Sequence, residues 1–263
     1  MDEPVKEEKR ETQAGVFRLP AASSPPPSEL RILLWDIDGT LIRASRAGMF
    51  KDYTAPAIEG VFGTAGRLAE LSVSGMTDLQ IVAEALRDEG FTPRQIRERI
   101  GELRALYMRE MERVTGSGEH PFYLLPGARE ALEAAEAHPR YASALLTGNL
   151  EAAAHLKMRL VGLSSLFQLP GAFGDDSHDR RDLPALARDR INRHLGLELQ
   201  PFQFIVIGDT PNDIACARHF GARAVAVATG RFYNAEDLHA HEPDALLHDL
   251  SDTALVMRTF DAL

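Results

Sequence analysis

The chain has 263 residues, 44% of them hydrophobic and 26% charged, the make-up of an ordinary globular protein with room for one large domain or two small ones. Lys and Arg total 29 against 39 Asp and Glu, so the net charge is -10 and the isoelectric point about 5.4, a poor match to nucleic acid. The apolar runs are too short to span a bilayer, and one cysteine, Cys216, excludes an internal disulfide and a multi-cysteine zinc site. The expected setting is a reducing cytoplasm, with neither nucleic acid nor membrane as a partner.

Residues 1–29 mix charges with Pro, Ser and Ala and end in Pro25, Pro26 and Pro27; they read as a flexible tail without the features of a secretory signal or transit peptide. At Leu30 the chain turns apolar through Trp35, then stops at Asp36, Asp38 and Gly39, the pattern of a buried strand entering a loop. Further strand-length apolar runs cover 141–146, 202–207, 222–227 and 245–247. Helical patterns at 151–160, 184–194 and 213–220 separate them, the last closed by Gly221. Alternating strand and helix predicts a doubly wound parallel sheet, Rossmann-like, with ligands beyond the carboxyl ends of its strands.

The stretch 46–123 breaks this alternation and reads as nearly all helix. Thr92 and Pro93 open its clearest piece, where Ile96, Ile100, Leu103, Tyr107, Met111 and Val114 recur at three and four. An insertion at this point would sit over the strand ends as a lid. The expected division is a core of 30–45 and 124–263 with a helical cap of 46–123.

Polar clusters follow three of the runs: Asp36, Asp38, Gly39 and Thr40; then Thr147, Gly148 and Asn149; then Gly208, Asp209, Thr210 and Asp213. Strand ends in one parallel sheet would bring them together. Several carboxylates at one spot repel unless a cation compensates, and oxygen donors with room for water and phosphate point to Mg2+. Asp36 and Asp38 are two apart, so in an extended segment both face the same side, one to attack and one to transfer a proton.

These clusters resemble the Asp-x-Asp-Gly-Thr, Thr/Ser and Gly-Asp-x-x-x-Asp motifs of the haloacid dehalogenase-like hydrolase superfamily, in the same order. The chain looks most similar to its phosphoglycolate phosphatase and β-phosphoglucomutase branch. The resemblance implies a phosphatase hydrolysing a small phosphate ester, with Asp36 as nucleophile forming an aspartyl phosphate and Asp38 as acid and base. It implies Mg2+ held by Asp36, the carbonyl of Asp38 and Asp209, supported by Asp213. Gly39, the Thr147 hydroxyl and the backbone near Gly148 and Asn149 would hold phosphoryl oxygens.

The family's usual lysine before its last motif is missing. Arg181 is favoured in its place, since Arg181 to Pro184 mimics the family's lysine-to-proline spacing; Arg180 is next and Lys157, on the helix after Thr147, third. Asp38 disfavours carbon-halogen and phosphonate cleavage but leaves two alternatives: a phosphomutase of the same family, and a phosphoacceptor or binding protein that does not turn over. A monomer or homodimer is expected.

Plainer readings stand beside these. Asp-x-Asp-Gly is also a turn, Asp209 and Asp213 are suitable helix N-terminal carboxylates, and Thr147 and Asn149 are suitable caps. Arg180, Arg181 and Lys157 could be solvated surface cations. In the insertion, 74–78 is either a specificity loop, on the family resemblance, or an N-cap at Thr77 or Asp78. Arg43 and Arg46 could greet an acidic substrate; the histidines read as structural and Cys216 as a small buried hydrophobe.

Overall fold

The computed structural model describes residues 26–116 and 120–263, so most of the expected tail lies outside the described residues. In chain order the elements are β1 (Arg31–Trp35), β2 (Ile42–Ala44), α1 (Lys51–Phe62), α2 (Asp78–Ala85), α3 (Pro93–Glu98), α4 (Ile100–Thr115) and β3 (Phe122–Leu124). They continue with α5 (Ala128–Ala137), β4 (Tyr141–Leu145), α6 (Glu151–Leu160), α7 (Leu183–Leu195), β5 (Phe204–Gly208) and α8 (Pro211–Phe220). The last are β6 (Arg223–Val227), α9 (Ala235–His239), β7 (Ala245–Leu247) and α10 (Thr253–Asp261).

Five strands form one sheet in the order β4-β1-β5-β6-β7, every neighbouring pair parallel. Strand residues alternate between two apolar layers, as a period of two requires. Ile32, Leu34, Phe204 and Val206 pack with Leu183, Ile191 and Ile214 of α7 and α8. Leu33, Trp35, Ile205 and Ile207 face the other way, with Ala131, Ala153 and Phe260 of α5, α6 and α10. Helices thus cover both faces, and β1, flanked by β4 and β5 and buried from Ile32 to Trp35, carries the first polar cluster on its carboxyl end. Trp35 keeps its indole N–H satisfied at this depth by donating to Ser143 Oγ at 3.1 Å.

The chain leaves this layer through β2 and returns through β3, an antiparallel pair with Ile42 opposite Leu124 and Ala44 opposite Phe122. Neither stands out in the pattern of apolar runs; their pairing with each other identifies them as strands. Between them lie α1 to α4, the helical stretch expected there. The pattern after Thr92 reads as one helix, but Arg99 (φ -102°, ψ 11°) interrupts it, giving α3 and α4. Ile96 and Leu103 still reach one apolar cluster across that break, which is why periodicity does not reveal it. Thr92 caps α3 in a reciprocal box with Gln95, as its position suggests. Among the described residues no helix is long and apolar enough to cross a membrane.

Candidate active site

The sheet order explains the convergence. β4, β1 and β5 are adjacent, so the residues that follow them, Thr147, Asp36 and Asp209, emerge side by side. Asp36 N–H still donates to Ile207 O at 2.9 Å, prolonging the pairing of β1 with β5 by one step. The chain then turns at Gly39 with φ 95°, and a Cβ there would lie 2.3 Å from Asp209 Oδ2. Glycine is required twice over, by the left-handed backbone and by the approach to Asp209. Gly230, in the loop after β6, closes the other side: its Cβ would lie 2.2 Å from the same oxygen.

Asp36, Asp209 and Asp213 are buried, each with a carboxylate oxygen within 4.8 Å of the others. One cation lies among them, Arg180, also buried, whose Nη2 donates to Asp36 Oδ1 at 2.9 Å and Asp213 Oδ1 at 2.6 Å. The preference for Arg181 is therefore corrected. Arg181 is exposed and folds back on Asp179, with 2.6 Å between Nη2 and Oδ2, while Asp179 also accepts the Arg181 backbone N–H at 3.0 Å. Spacing to a proline counts residues; it does not say which of two consecutive side chains in a 3-10 turn points inward.

Burial dominates the electrostatics of the cluster. It pushes Asp36 up to about 7, against the pull of Arg180 and with help from Asp213 and Asp38. Burial likewise drives Asp209 well above the usual carboxylate range, reinforced by Asp36 and Asp213. Three carboxylates against one guanidinium leave negative charge uncompensated. An all-oxygen, acidic, enclosed donor set fits a hard divalent cation.

The three carboxylates are not equivalent. Asp213 Oδ2 accepts from Thr210 N and Oγ1, at 3.0 and 2.7 Å, in a capping box that starts α8 two residues earlier than the sequence suggests. Its other oxygen holds Arg180, so the capping reading of Asp213 and its place in the cluster hold together. Among the described residues, Asp209 Oδ1 accepts only a 3.3 Å bond from Thr40 Oγ1. Asp36 and Asp209 are thus the better placed for a cation, with Asp213 behind them. The Asp38 carboxylate lies outside this set, leaving only its backbone carbonyl for the ligand role expected of it.

Asp38 is half-exposed and engages a separate network. Its Oδ2 accepts from Lys157 Nζ at 2.5 Å and Asn149 Nδ2 at 2.8 Å, and Lys157 also donates to Asn149 Oδ1 at 2.6 Å. Lys157 is buried on the inner face of α6, not on the surface; burial alone would lower it, but Asp38, Tyr53 and Asp78 together outweigh that and raise it. Thr147 Oγ1 accepts from Asn149 Nδ2 at 2.7 Å and from Asn149 N at 3.3 Å. Each of the two aspartates flanking Ile37 therefore has its own buried cation.

The 74–78 segment does more than cap. Thr77 caps α2, accepting from Gln80 N, while its hydroxyl donates to His178 O at 3.2 Å. Asp78 N donates to Gly148 O at 2.7 Å, and Asp78 Oδ2 accepts from Leu150 N at 2.8 Å. Gly148 is thus pinned to the helical stretch, and its missing side chain permits it: a Cβ would lie 2.1 Å from Met76 O. Burial pushes Asp78 up to about 6 in spite of the Leu150 amide.

Sequence reasoning missed Thr229, which donates to Gly39 O at 2.6 Å, and Gly230. Both follow the predicted strand 222–227, so the rule that found the other clusters also reaches them. Asp78's docking had no such signal, because it depends on how the helical stretch folds back. Arg43 donates to Thr229 O and Arg46 pairs with Asp52, so neither is idle. Among the described residues no histidine joins a metal-binding group, and Cys216 is buried, its Sγ–H directed at Asp213 O, 3.2 Å away.

Residues 33–218 match the family model of the haloacid dehalogenase-like hydrolases. The fold is also that of solved structures. A haloacid dehalogenase-like hydrolase from Streptococcus pneumoniae superposes with a TM-score of 0.55 at 20% identity, covering 89% of this chain and 99% of that one. A predicted phosphoglycolate phosphatase from Haemophilus somnus gives 0.56 at 20%, covering 87% and 98%. A hydrolase from Pseudomonas syringae gives 0.60 at 22%, covering 89% and 99%. No curated protein matches the sequence. With the family match reaching from β1 through β4 and β5 and taking in all three polar clusters, the chain belongs to the haloacid dehalogenase-like hydrolases.

Proposed function

We propose that the protein is a Mg2+-dependent phosphatase that hydrolyses a small phosphorylated molecule through an aspartyl phosphate on Asp36. The observation that carries this is the pairing of a buried carboxylate cluster, Asp36, Asp209 and Asp213, with a second aspartate, Asp38, held apart on its own cation. In this reading 30–45 and 124–263 are the catalytic core and 46–123 a cap that excludes bulk water.

Asp36 and Asp209, backed by Asp213 and joined by the Asp38 carbonyl, would hold the Mg2+. When bound, the ion offsets the carboxylate charge and draws electron density from the phosphoryl oxygens. Asp36 attacks phosphorus as the bond to the ester oxygen breaks, and Asp38 gives that oxygen its proton. Asp38 then takes a proton from water, whose oxygen attacks the phosphorus of the aspartyl phosphate; the bond to Asp36 breaks, inorganic phosphate leaves and the carboxylate is restored. Lys157 and Asn149 both grip Asp38 Oδ2, leaving Oδ1 for proton transfer. Arg180 holds the nucleophile in place and faces the phosphoryl charge. The Thr147 hydroxyl and the Gly39 and Gly148 loops cradle the remaining oxygens.

Phosphate release from p-nitrophenyl phosphate, with Mg2+ or EDTA, on the native chain and Asp36→Asn tests this reading. Metal-dependent release lost in the variant is expected; substantial residual turnover by Asp36→Asn defeats it. Release of phosphate in proportion to substrate consumed separates hydrolysis from phosphoryl return to a sugar.

A further inference from the structure

Asp36, Asp38, Gly39 and Asp209 face a cavity of about 550 Å3, whose wall continues through Tyr53, Tyr107, Phe122 and Phe232. A carboxylate that binds a cation there must itself be held, because a ligand free to rotate gives up affinity when the ion fixes it. Asp209 has little help from hydrogen bonds beyond the 3.3 Å contact from Thr40 Oγ1. Backbone confines it instead. A Cβ on Gly39 would come within 2.3 Å of Asp209 Oδ2, and one on Gly230 within 2.2 Å.

The two glycines belong to loops that follow β1 and β6, and β5, which carries Asp209 at its end, lies between those strands. No ladder bond joins β1 to β6, so the width of the slot around Asp209 has to be set by the loops. A side chain spans it: Thr229 Oγ1 donates to Gly39 O at 2.6 Å. The peptides on both sides of Gly39 are then fixed. Gly39 N–H donates to Ile42 O at 2.8 Å, which orients the plane that contains the Asp38 carbonyl. Thr229 orients the next plane, which leads to Thr40, the donor to Asp209.

Thr229 is anchored in turn. Ala228 N donates to Leu247 O of β7 at 2.8 Å, Arg43 of β2 donates to Thr229 O, and Arg231 Nη2 reaches back to Ala44 O at 3.4 Å. The loop and β2 thus exchange one arginine each. Thr229 itself does not line the cavity.

Resting on the metal site of the reading above, we infer that Thr229 is a positioning residue for the cation. Its hydroxyl closes the slot between the loops after β1 and β6, and so holds Asp209 and the Asp38 carbonyl in the geometry that binds Mg2+.

The test uses the full chain with Thr229→Val, which keeps the shape of the side chain without its hydroxyl, and Thr229→Ser, which keeps the hydroxyl. Mg2+ binding is read without substrate, from the rise of Tm with Mg2+ concentration, since an ion that binds only the folded state stabilises it in step with its affinity. Thr229→Val should bind Mg2+ about tenfold more weakly, the usual cost of removing a group that orients a metal ligand, and Thr229→Ser should stay within about threefold of native. The Mg2+ concentration that gives half the maximal rate on p-nitrophenyl phosphate should rise by the same factor in Thr229→Val, with kcat at saturating Mg2+ far less affected. Native Mg2+ affinity in Thr229→Val overturns the inference, whatever the change in its metal-free Tm. An equal loss in Thr229→Ser also overturns it, by tracing the effect to packing and not to the hydroxyl. A native chain that binds Mg2+ but releases no phosphate defeats the phosphatase reading alone, and the affinities of the variants still decide the role of Thr229. A native chain whose Tm does not respond to Mg2+ defeats both, since each needs the ion.

Discussion

Arg180 and Arg181 are consecutive arginines in one turn, yet the structure assigns them opposite fates, which makes them a matched pair for experiment. Arg180 is 6% exposed and bridges two buried carboxylates at 2.9 and 2.6 Å. Arg181 is exposed and bonds to Asp179, two residues away. Removing one partner of a buried ion pair strands the other's charge and costs about 3–5 kcal/mol. Removing one partner of an exposed pair costs about 0–1 kcal/mol. Arg180→Ala should therefore lose about 3–5 kcal/mol and Arg181→Ala less than about 1, measured by urea unfolding of the metal-free proteins at pH 7.5. For a chain of this length the first loss corresponds to a fall in Tm of roughly 10 °C. Arg180→Lys keeps the charge but gives up the planar fork that reaches both carboxylates, so it should fall between native and Arg180→Ala in stability and in kcat. Equal losses in the two alanine variants, or an Arg180→Ala loss below about 1 kcal/mol, refute the reasoning.

Other expectations follow from the same geometry. Gly39→Ala places a side chain on a left-handed backbone and against Asp209, and should cost about 2 kcal/mol or more in thermal unfolding and nearly all phosphatase activity. Asp38→Ala should lower kcat by about 10²–10⁴, the usual share of general acid-base catalysis. Lys157→Met removes the ammonium that steadies Asp38 and Asn149 and should lower kcat by about tenfold, with KM little changed; a loss as large as that of Asp38→Ala would instead put Lys157 on the phosphoryl group. Asp78 is an acid whose native value, about 6, lies above its ordinary 3.8, so its contribution to stability is greatest below pH 4 and is lost as pH rises through 6. That loss is worth roughly 3 kcal/mol, and Asp78→Asn, which can still accept from Leu150 N, should flatten the stability profile between pH 4 and 6. An unchanged slope in that variant would mean that Asp78 stays ionised in the folded protein.

Much of the fold was legible because its signals are local. Most residues of the sheet strands are buried between two helical layers, so the strands read as apolar runs, and each run ends where polar residues begin. That alone marked Asp36, Thr147 and Asp209, since the carboxyl end of a parallel strand is where the chain reaches the open edge of the sheet. Their meeting point could then be expected without knowing any side-chain direction. Strands β2 and β3 escaped because they pair only with each other, outside the buried five-stranded sheet, and the break at Arg99 escaped because the apolar face continues across it.

What the sequence by itself determined is therefore the kind of molecule: a wound parallel sheet, a helical insertion after its first strand, and aspartates at the strand ends. Only the tertiary structure decided which cation serves which aspartate. Arg180 and Arg181 have the same composition and nearly the same spacing, and they differ only in the direction each leaves the turn at 180–182. Lys157 looked like a surface residue on a helix until the packing of α6 placed its ammonium on Asp38. The aromatic part of the cavity lining was likewise invisible, because Tyr53, Tyr107, Phe122 and Phe232 come from four separate segments. Local patterns fix which residues form strands and helices, but charge pairing and pocket shape are set by distances between segments far apart in the chain, and those exist only once it has folded.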